Sequence, residues 1–205
     1  MSNAFIEAFK HRRSQYVLGL DVSLSRDELS NLIMDAVKYS PAAFNSQSSR
    51  ALILFGAESE KLWSITVDEV SKIVPAKGFD QVEGKLMSFS AGVGTVLFYE
   101  DQSVVTSLQK EFAPYADSFP RWSEHSCGMA QLAVWSALAC VNVGASLQHY
   151  NPIIDAAVAR QWGIPDSWAL RAQMPFGSNA ASIPDKTFMG NATRFKVVGD
   201  LPARG

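Results

Sequence analysis

Apolar residues recur along this chain at two spacings, and the alternation between them sets the expected architecture. Phe5, Ile6 and Phe9 share one face of a helix expected over 3–12. Leu29, Leu32, Ile33, Ala36 and Val37 form the buried stripe of a second helix ending near Tyr39. Ser25-Arg26-Asp27-Glu28 ahead of it is a capping box. The run Ala51-Leu52-Ile53-Leu54-Phe55 reads as a buried strand over 50–56. Leu62, Ile65, Val70 and Ile73 mark a helix over 57–73, which Pro75 and Gly78 break. A second buried strand spans Gly92–Tyr99. Met129 to Ala139 is apolar nearly all round, so the helix expected from Ser123, as N-cap, to about Val143 should be buried on all sides. A helix so apolar in a chain this size also suggests a subunit interface. Residues 144–149 read as a short strand, Asn151-Pro152 opens another helix, Trp168 to Met174 reads as a strand, and Phe176 to Met189 as a loop. Arg194-Phe195-Lys196-Val197-Val198 reads as the last strand, with Arg194 and Lys196 on one side.

Composition narrows the functional classes. The 205 residues carry a net charge of −2 and 47% hydrophobic residues, with no basic stripe, so nucleic acid is not an expected partner. No apolar run is long enough to span a bilayer, so no membrane role is expected. Glu7 and Lys10 interrupt the N-terminal apolar residues, unlike a signal peptide. Cys127 and Cys140 lie far apart, which fits a reducing cytoplasm. No repeat or linker divides the chain, so 1–205 reads as one domain.

The stretch Ser40-Pro41-Ala42-Ala43-Phe44-Asn45-Ser46-Gln47-Ser48-Ser49-Arg50 joins the second helix to the first strand. Pro41 turns the chain. Asn45 and Gln47 each offer a donor and an acceptor, suited to the alternating polar edge of a flat heterocycle, and the small residues let backbone amides approach such a ring. An ordinary helix-to-strand connector is the plainer reading. Arg12, Arg13 and Ser14 supply the forked donors that suit a phosphate, or they are only a charged helix end. Arg194 and Lys196 form a second cationic pair, or a charged edge strand. Lys85 reads as a solvated lysine. Gly92-x-Gly94 lacks the third glycine and the strand-to-helix turn of a dinucleotide fingerprint. His125 and Cys127, two apart on a helix, point away from each other. His11, His125 and His149 show no metal-binding spacing.

Ser-Pro-Ala-Ala-Phe-Asn-Ser-Gln over 40–47 resembles the flavin-binding loop of the nitroreductase family, and most closely the subgroup related to the yeast fatty-acid-repression-mutant nitroreductases and their bacterial counterparts. Phe119-Pro120-Arg121-Trp122-Ser123-Glu124-His125, Gly144-Ala145-Ser146-Leu147-Gln148-His149-Tyr150-Asn151-Pro152 and Ala172-Gln173-Met174-Pro175-Phe176-Gly177 fit the same subgroup in the same order. The resemblance runs from about Arg12 to Gly199.

It implies an α+β three-layer sandwich, with a mixed, mostly antiparallel sheet between helices, and an obligate homodimer with FMN at its interface. It implies hydride uptake from NADH or NADPH and delivery of electrons to nitroaromatics, quinones or similar small aromatic acceptors. Arg12, Arg13, Ser14, Arg194 and Lys196 would surround the phosphate. Pro41, Ala42, Ala43, Asn45 and Gln47 would meet the ring, with Phe44 as an apolar wall and Leu147, Gln148 and His149 beside it. Members use a backbone N–H after the strand that follows the long helix as donor to flavin N5, and here that falls at Gln148-His149. His149 as a general acid is the alternative. Members commonly carry a basic residue where Tyr16 stands, so the group beside flavin N1 and O2 is left open. Two other readings compete: a flavin-binding sensor or reservoir with little turnover, and a flavin-destroying enzyme on a related scaffold.

Overall fold

The computed structural model describes residues 3–200. Helix α1 (Ala4–His11) is capped by the Asn3 side chain, which accepts from the N–H groups of Phe5 and Ile6. Strand β1 is a two-residue piece, Leu18–Gly19. Helix α2 (Arg26–Lys38) starts at the expected capping box: the Ser25 hydroxyl accepts from Glu28 N–H at 3.3 Å, and the Glu28 carboxylate accepts from Ser25 N–H at 2.8 Å. Strand β2 (Ser49–Phe55) and helix α3 (Ala57–Ser71) match the sequence reading closely, except that α3 stops short of Ile73, which is 62% exposed. Helices α4 (Phe79–Ser90) and α5 (Gln102–Glu111) flank strand β3 (Gly94–Asp101). Helix α6 (Phe119–Cys140) leads to β4 (Val143–Ala145), and α7 (Asp155–Trp162) to β5 (Trp168–Asn179). A single helical turn, α8 (Asn191–Arg194), closes the series.

The sheet runs β1-β5-β3-β2, with β4 also paired to β5, and every ladder is antiparallel. One parallel bridge, Ser14 to Ala145, makes it mixed. Because side chains alternate across a strand, β3 feeds two cores. Val96 and Phe98 pack with Ala172, Met174 and Phe176 of β5 against α2 and α6. Leu97 and Tyr99 pack with α3, α4 and α7 on the opposite face. The result is the expected three-layer α+β sandwich.

The glycines of Gly92-x-Gly94 are explained by packing, not by a phosphate. A Cβ on Gly92 would sit 2.4 Å from the Phe176 carbonyl oxygen, and one on Gly94 would sit 2.5 Å from that of Leu54.

Three expectations are corrected. Ser123 does not cap α6. The helix begins a turn earlier with a proline in its first positions, and the Ser123 hydroxyl donates back to the Pro120 carbonyl at 3.1 Å. Helix α6 is not buried all round either: Met129 and Leu132 are 38% and 40% exposed. Arg194–Val198 is not a strand. Arg194 ends α8 and the rest has no regular structure, with Val197 and Val198 90% and 82% exposed. A β-branched run becomes a strand only where another strand accepts its backbone bonds.

Candidate functional site

The loop after α2 carries the most unusual backbone in the chain. Phe44, Asn45 and Gln47 all have positive φ, at 55°, 50° and 47°. L-residues adopt this region rarely, and three within four residues mark a loop held against its local preference. The hold comes from beneath. Ser48 and Ser49 donate their hydroxyls to the two carboxylate oxygens of Glu100, each at 2.5 Å. Asp101 N–H donates to the Ser48 carbonyl at 3.0 Å. Arg50 donates to the Gln47 carbonyl at 2.6 Å and pairs with Asp101 at 3.1 Å. The end of β3 thus fixes the loop, while Asn45 and Gln47 stay exposed.

Phe44 caps an aromatic cluster. Its ring lies 4.8 Å from Phe112, 5.2 Å from Phe119 and 5.9 Å from Trp122, stacked on the last. On the other flank a cleft of about 590 Å³ is lined by Lys38, Pro41, Ala42, Gln47, Arg50 and Trp168.

Glu100 is fully buried, and burial raises its carboxyl above the ordinary 4.5, against the Ser48 and Ser49 hydroxyls and Arg171 that lower it; Glu124 raises it further. An acid with a raised folded pKa costs nothing while it is protonated in both states. It loses stability as pH rises from the unfolded value through the folded one. Glu100→Gln should therefore gain stability relative to the parent as pH rises above about 4.5, levelling off once the parent's carboxyl ionises in the folded state. Urea unfolding across this range checks it, and a pH-independent difference contradicts it.

A second group gathers at the other end of α6. Gln15 N–H donates to the Ala145 carbonyl at 2.9 Å, which lays Arg12-Arg13-Ser14 beside β4. Trp135 donates its indole N–H to the same carbonyl at 3.1 Å, and the Arg12 guanidinium lies 4.4 Å over its ring. Burial, and then Arg13, lower the Arg12 pKa. Arg13 turns aside to the Pro184 carbonyl at 2.6 Å. A cleft of about 470 Å³ here is lined by Arg12, Arg13, Ser14, Tyr16, Pro184 and Lys186. Lys186 is a cation that sequence reasoning missed, because it sits in a loop whose path no periodicity reveals. Leu147 is half-buried, Gln148 buried and His149 exposed on the turn that follows β4. Gln148 N–H is committed to the Gln173 carbonyl at 2.7 Å.

The structure thus gathers the predicted residues into two places, not one. Pro41–Gln47 lie by Trp122, and Arg12 lies by Trp135. The two tryptophans are thirteen residues apart on α6, about 20 Å along its axis. Arg194 and Lys196 join neither group in this chain and are exposed. Cys127 is excluded as a nucleophile. It is 1% exposed, burial pushes its thiol up to about 12, and Glu100 raises it further against a bond from Gln131. His125 is exposed and faces away from it. Among the described residues there is no group of three or more potential metal ligands, and no helix is long and apolar enough to cross a membrane.

The sequence pattern of the nitroreductase family matches residues 9–178. The chain is 34% identical over 192 residues to the putative nitroreductase HBN1 of Saccharomyces cerevisiae, covering 91% of this chain and 94% of that one. Its fold superposes with a TM-score of 0.88 on the nitroreductase CinD from Lactococcus lactis in complex with chloramphenicol, at 46% identity, covering 96% of this chain and all of that one. A putative nitroreductase from Desulfovibrio desulfuricans in complex with FMN shares the fold at a TM-score of 0.70 and 15% identity, covering 98% of this chain and 100% of that one.

Proposed function

Since the chain belongs to the nitroreductase family, we propose that it is an FMN-dependent oxidoreductase that takes hydride from NADH or NADPH and reduces nitroaromatics, quinones or similar small aromatic acceptors. In this reading it is a single domain working as a cytoplasmic homodimer. The observation that carries the reading is the placement of two complementary half-sites at opposite ends of one helix, α6. The residues present fit FMN. Asn45 and Gln47 present exposed amides suited to the ring edge. Arg12 and Ser14, with Lys186 in the same cleft, present donors suited to a single phosphate. The CinD complex with chloramphenicol, a nitroaromatic compound, supports the acceptor class.

Within one chain the half-sites are too far apart to share a ligand, and a two-fold axis removes the difficulty. Gly128, Met129 and Leu132 are exposed midway between Trp122 and Trp135. If α6 meets its copy there across a two-fold axis perpendicular to the helix, the two helices run antiparallel, and each Trp122 end lies beside the partner's Trp135 end. Two composite sites result. The outer edge of β2 carries no strand among the described residues. The exposed run Phe195–Val198 of one protomer lies along that edge of its partner, which carries Arg194 and Lys196 to a phosphate.

FMN, when bound, supplies the hydride and electron chemistry, and the chain's own residues bind, orient and exclude water. Asn45 and Gln47 bond the polar edge of the ring. Phe44 and its aromatic neighbours shield one side. Of the two backbone donors expected beside flavin N5, Gln148 N–H is already committed, so the role falls to His149 N–H. The proton needed later comes from water. Anaerobic mixing of the yellow protein with NADH or NADPH, followed by a nitroaromatic, tests the proposal.

A further inference from the structure

Gln47 is held in a conformation that its residue type does not favour, with φ at 47°. Asn45, at 50°, is easier to explain, because the short amide of Asn can bond its own backbone there. Gln has no such local help. The turn before Gln47 is closed by its own backbone: Asn45 N–H donates to the Ala42 carbonyl at 2.9 Å, and Ser46 N–H to the Ala43 carbonyl at 3.1 Å. On the other side, the backbone bonds to β3 reach back only to the Ser48 carbonyl, which accepts from Asp101 N–H. Between the two lies the Gln47–Ser48 peptide. Among the described residues neither its carbonyl nor its N–H has a backbone partner. A side chain holds it instead. The Arg50 guanidinium donates through Nη1 to the Gln47 carbonyl at 2.6 Å. Through Nη2 it donates to Asp101 Oδ2 at 3.1 Å, and it lies 5.8 Å over the Trp168 ring. Asp101 on β3 and Trp168 on β5 therefore set its direction.

We propose that Arg50 is the positioning residue that sets Gln47 for the flavin ring. The peptide it holds defines ψ of Gln47, and with it the direction in which the Gln47 side chain leaves the chain ahead of β2. Both residues line the same cleft, and the Gln47 side chain is exposed there. The inference rests on the FMN reading above and adds to it the group that prepares one of the ring contacts before the ring arrives. Without Arg50 the Gln47–Ser48 peptide can turn over, and Gln47 relaxes to negative φ. The ring would then have to reorder this residue as it binds, and that ordering lowers affinity.

The test is a double-mutant cycle on FMN affinity in the full chain. Arg50→Met keeps the apolar stem and removes the guanidinium. It should weaken FMN binding at least about tenfold, and Gln47→Ala should weaken it by a similar factor. The two together should bind within about threefold of Gln47→Ala alone, because an arginine that acts through Gln47 then has nothing left to position. Arg50→Lys keeps one donor for the carbonyl and should recover most of the affinity. Asp101→Asn covers the case in which Arg50→Met does not fold. It keeps the cap that Asp101 provides to Ser103 N–H at the start of α5 and loosens only the hold on Arg50. Its loss of affinity should be smaller than that of Arg50→Met and should also vanish in the Gln47→Ala background. Equal losses with and without the Gln47 side chain would mean that Arg50 meets the flavin itself or supports the loop as a whole, and would overturn the inference. A parent chain that binds no FMN would overturn the function proposed above, and this inference with it. A parent that binds FMN beside an Arg50→Met or Gln47→Ala variant that binds it equally well would overturn this inference alone.

Discussion

Leu132→Asp should convert the protein to monomers and strip it of flavin. In the isolated chain Leu132 is 40% exposed on the outer face of α6, and a surface substitution of that kind changes stability by about 0.5 kcal/mol or less. If two copies of α6 meet around Gly128 and Leu132, the same aspartate becomes a buried, unpaired charge at the centre of an interface, once from each chain. Such a charge costs several kcal/mol, and each 1.4 kcal/mol is about a factor of ten in dissociation constant. Dimerisation should weaken by at least about a hundredfold, while circular dichroism stays that of the folded parent. Flavin loss follows because neither chain alone brings the Asn45–Gln47 loop to Arg12. Light scattering with an absorbance spectrum measures both. A variant that stays dimeric and yellow would place the interface elsewhere, and a yellow monomer would refute the composite site.

Replacing both Arg12 and Lys196 with alanine should release FMN while leaving the dimer intact. Hydrogen bonds to charged groups contribute about 1.5–3 kcal/mol each, so losing two should weaken FMN binding by about a hundredfold to ten-thousandfold. Arg12 is anchored on Trp135. In the composite site of the proposed dimer, Arg12 and the C-terminal run that carries Lys196 come from one chain, and the Asn45–Gln47 loop comes from its partner. In a mixed dimer of parent and double-variant chains, the site whose Arg12 and Lys196 positions lie on the variant chain should therefore lose FMN, and the other site should keep it. Retention of FMN at parental affinity in the double variant would remove both residues from the phosphate.

What the sequence made legible was whatever a local rule specifies. The Ser25 to Glu28 box, the apolar run of β2 and the cationic end of α1 each follow from residues a few positions apart. Helix α5 was missed because Val105 is its only buried residue, too little for a periodic signal. The end of β3 was drawn short because Glu100 and Asp101 look like loop residues. They are buried because the Ser48 and Ser49 hydroxyls and Arg50 come to meet them from β2. The run Arg194–Val198 shows the limit most clearly. Its residues favour a strand, but a strand also needs a neighbour, and among the described residues this segment pairs with no strand of its own chain.

The family resemblance carried what local rules cannot, namely which loops answer to one ligand. The geometry then separated that set into two groups about 20 Å apart along α6. Under the proposed function, that split makes the flavin site a composite of two copies of the chain.

The most direct test is anaerobic stopped-flow absorbance of the protein as purified. The expected result is a yellow protein whose acid-released cofactor is FMN, whose flavin band bleaches in one turnover on mixing with NADH or NADPH, and whose colour returns on adding a nitroaromatic as that compound is reduced. A protein that holds its flavin but is bleached by neither nucleotide, or that releases FAD, would contradict it.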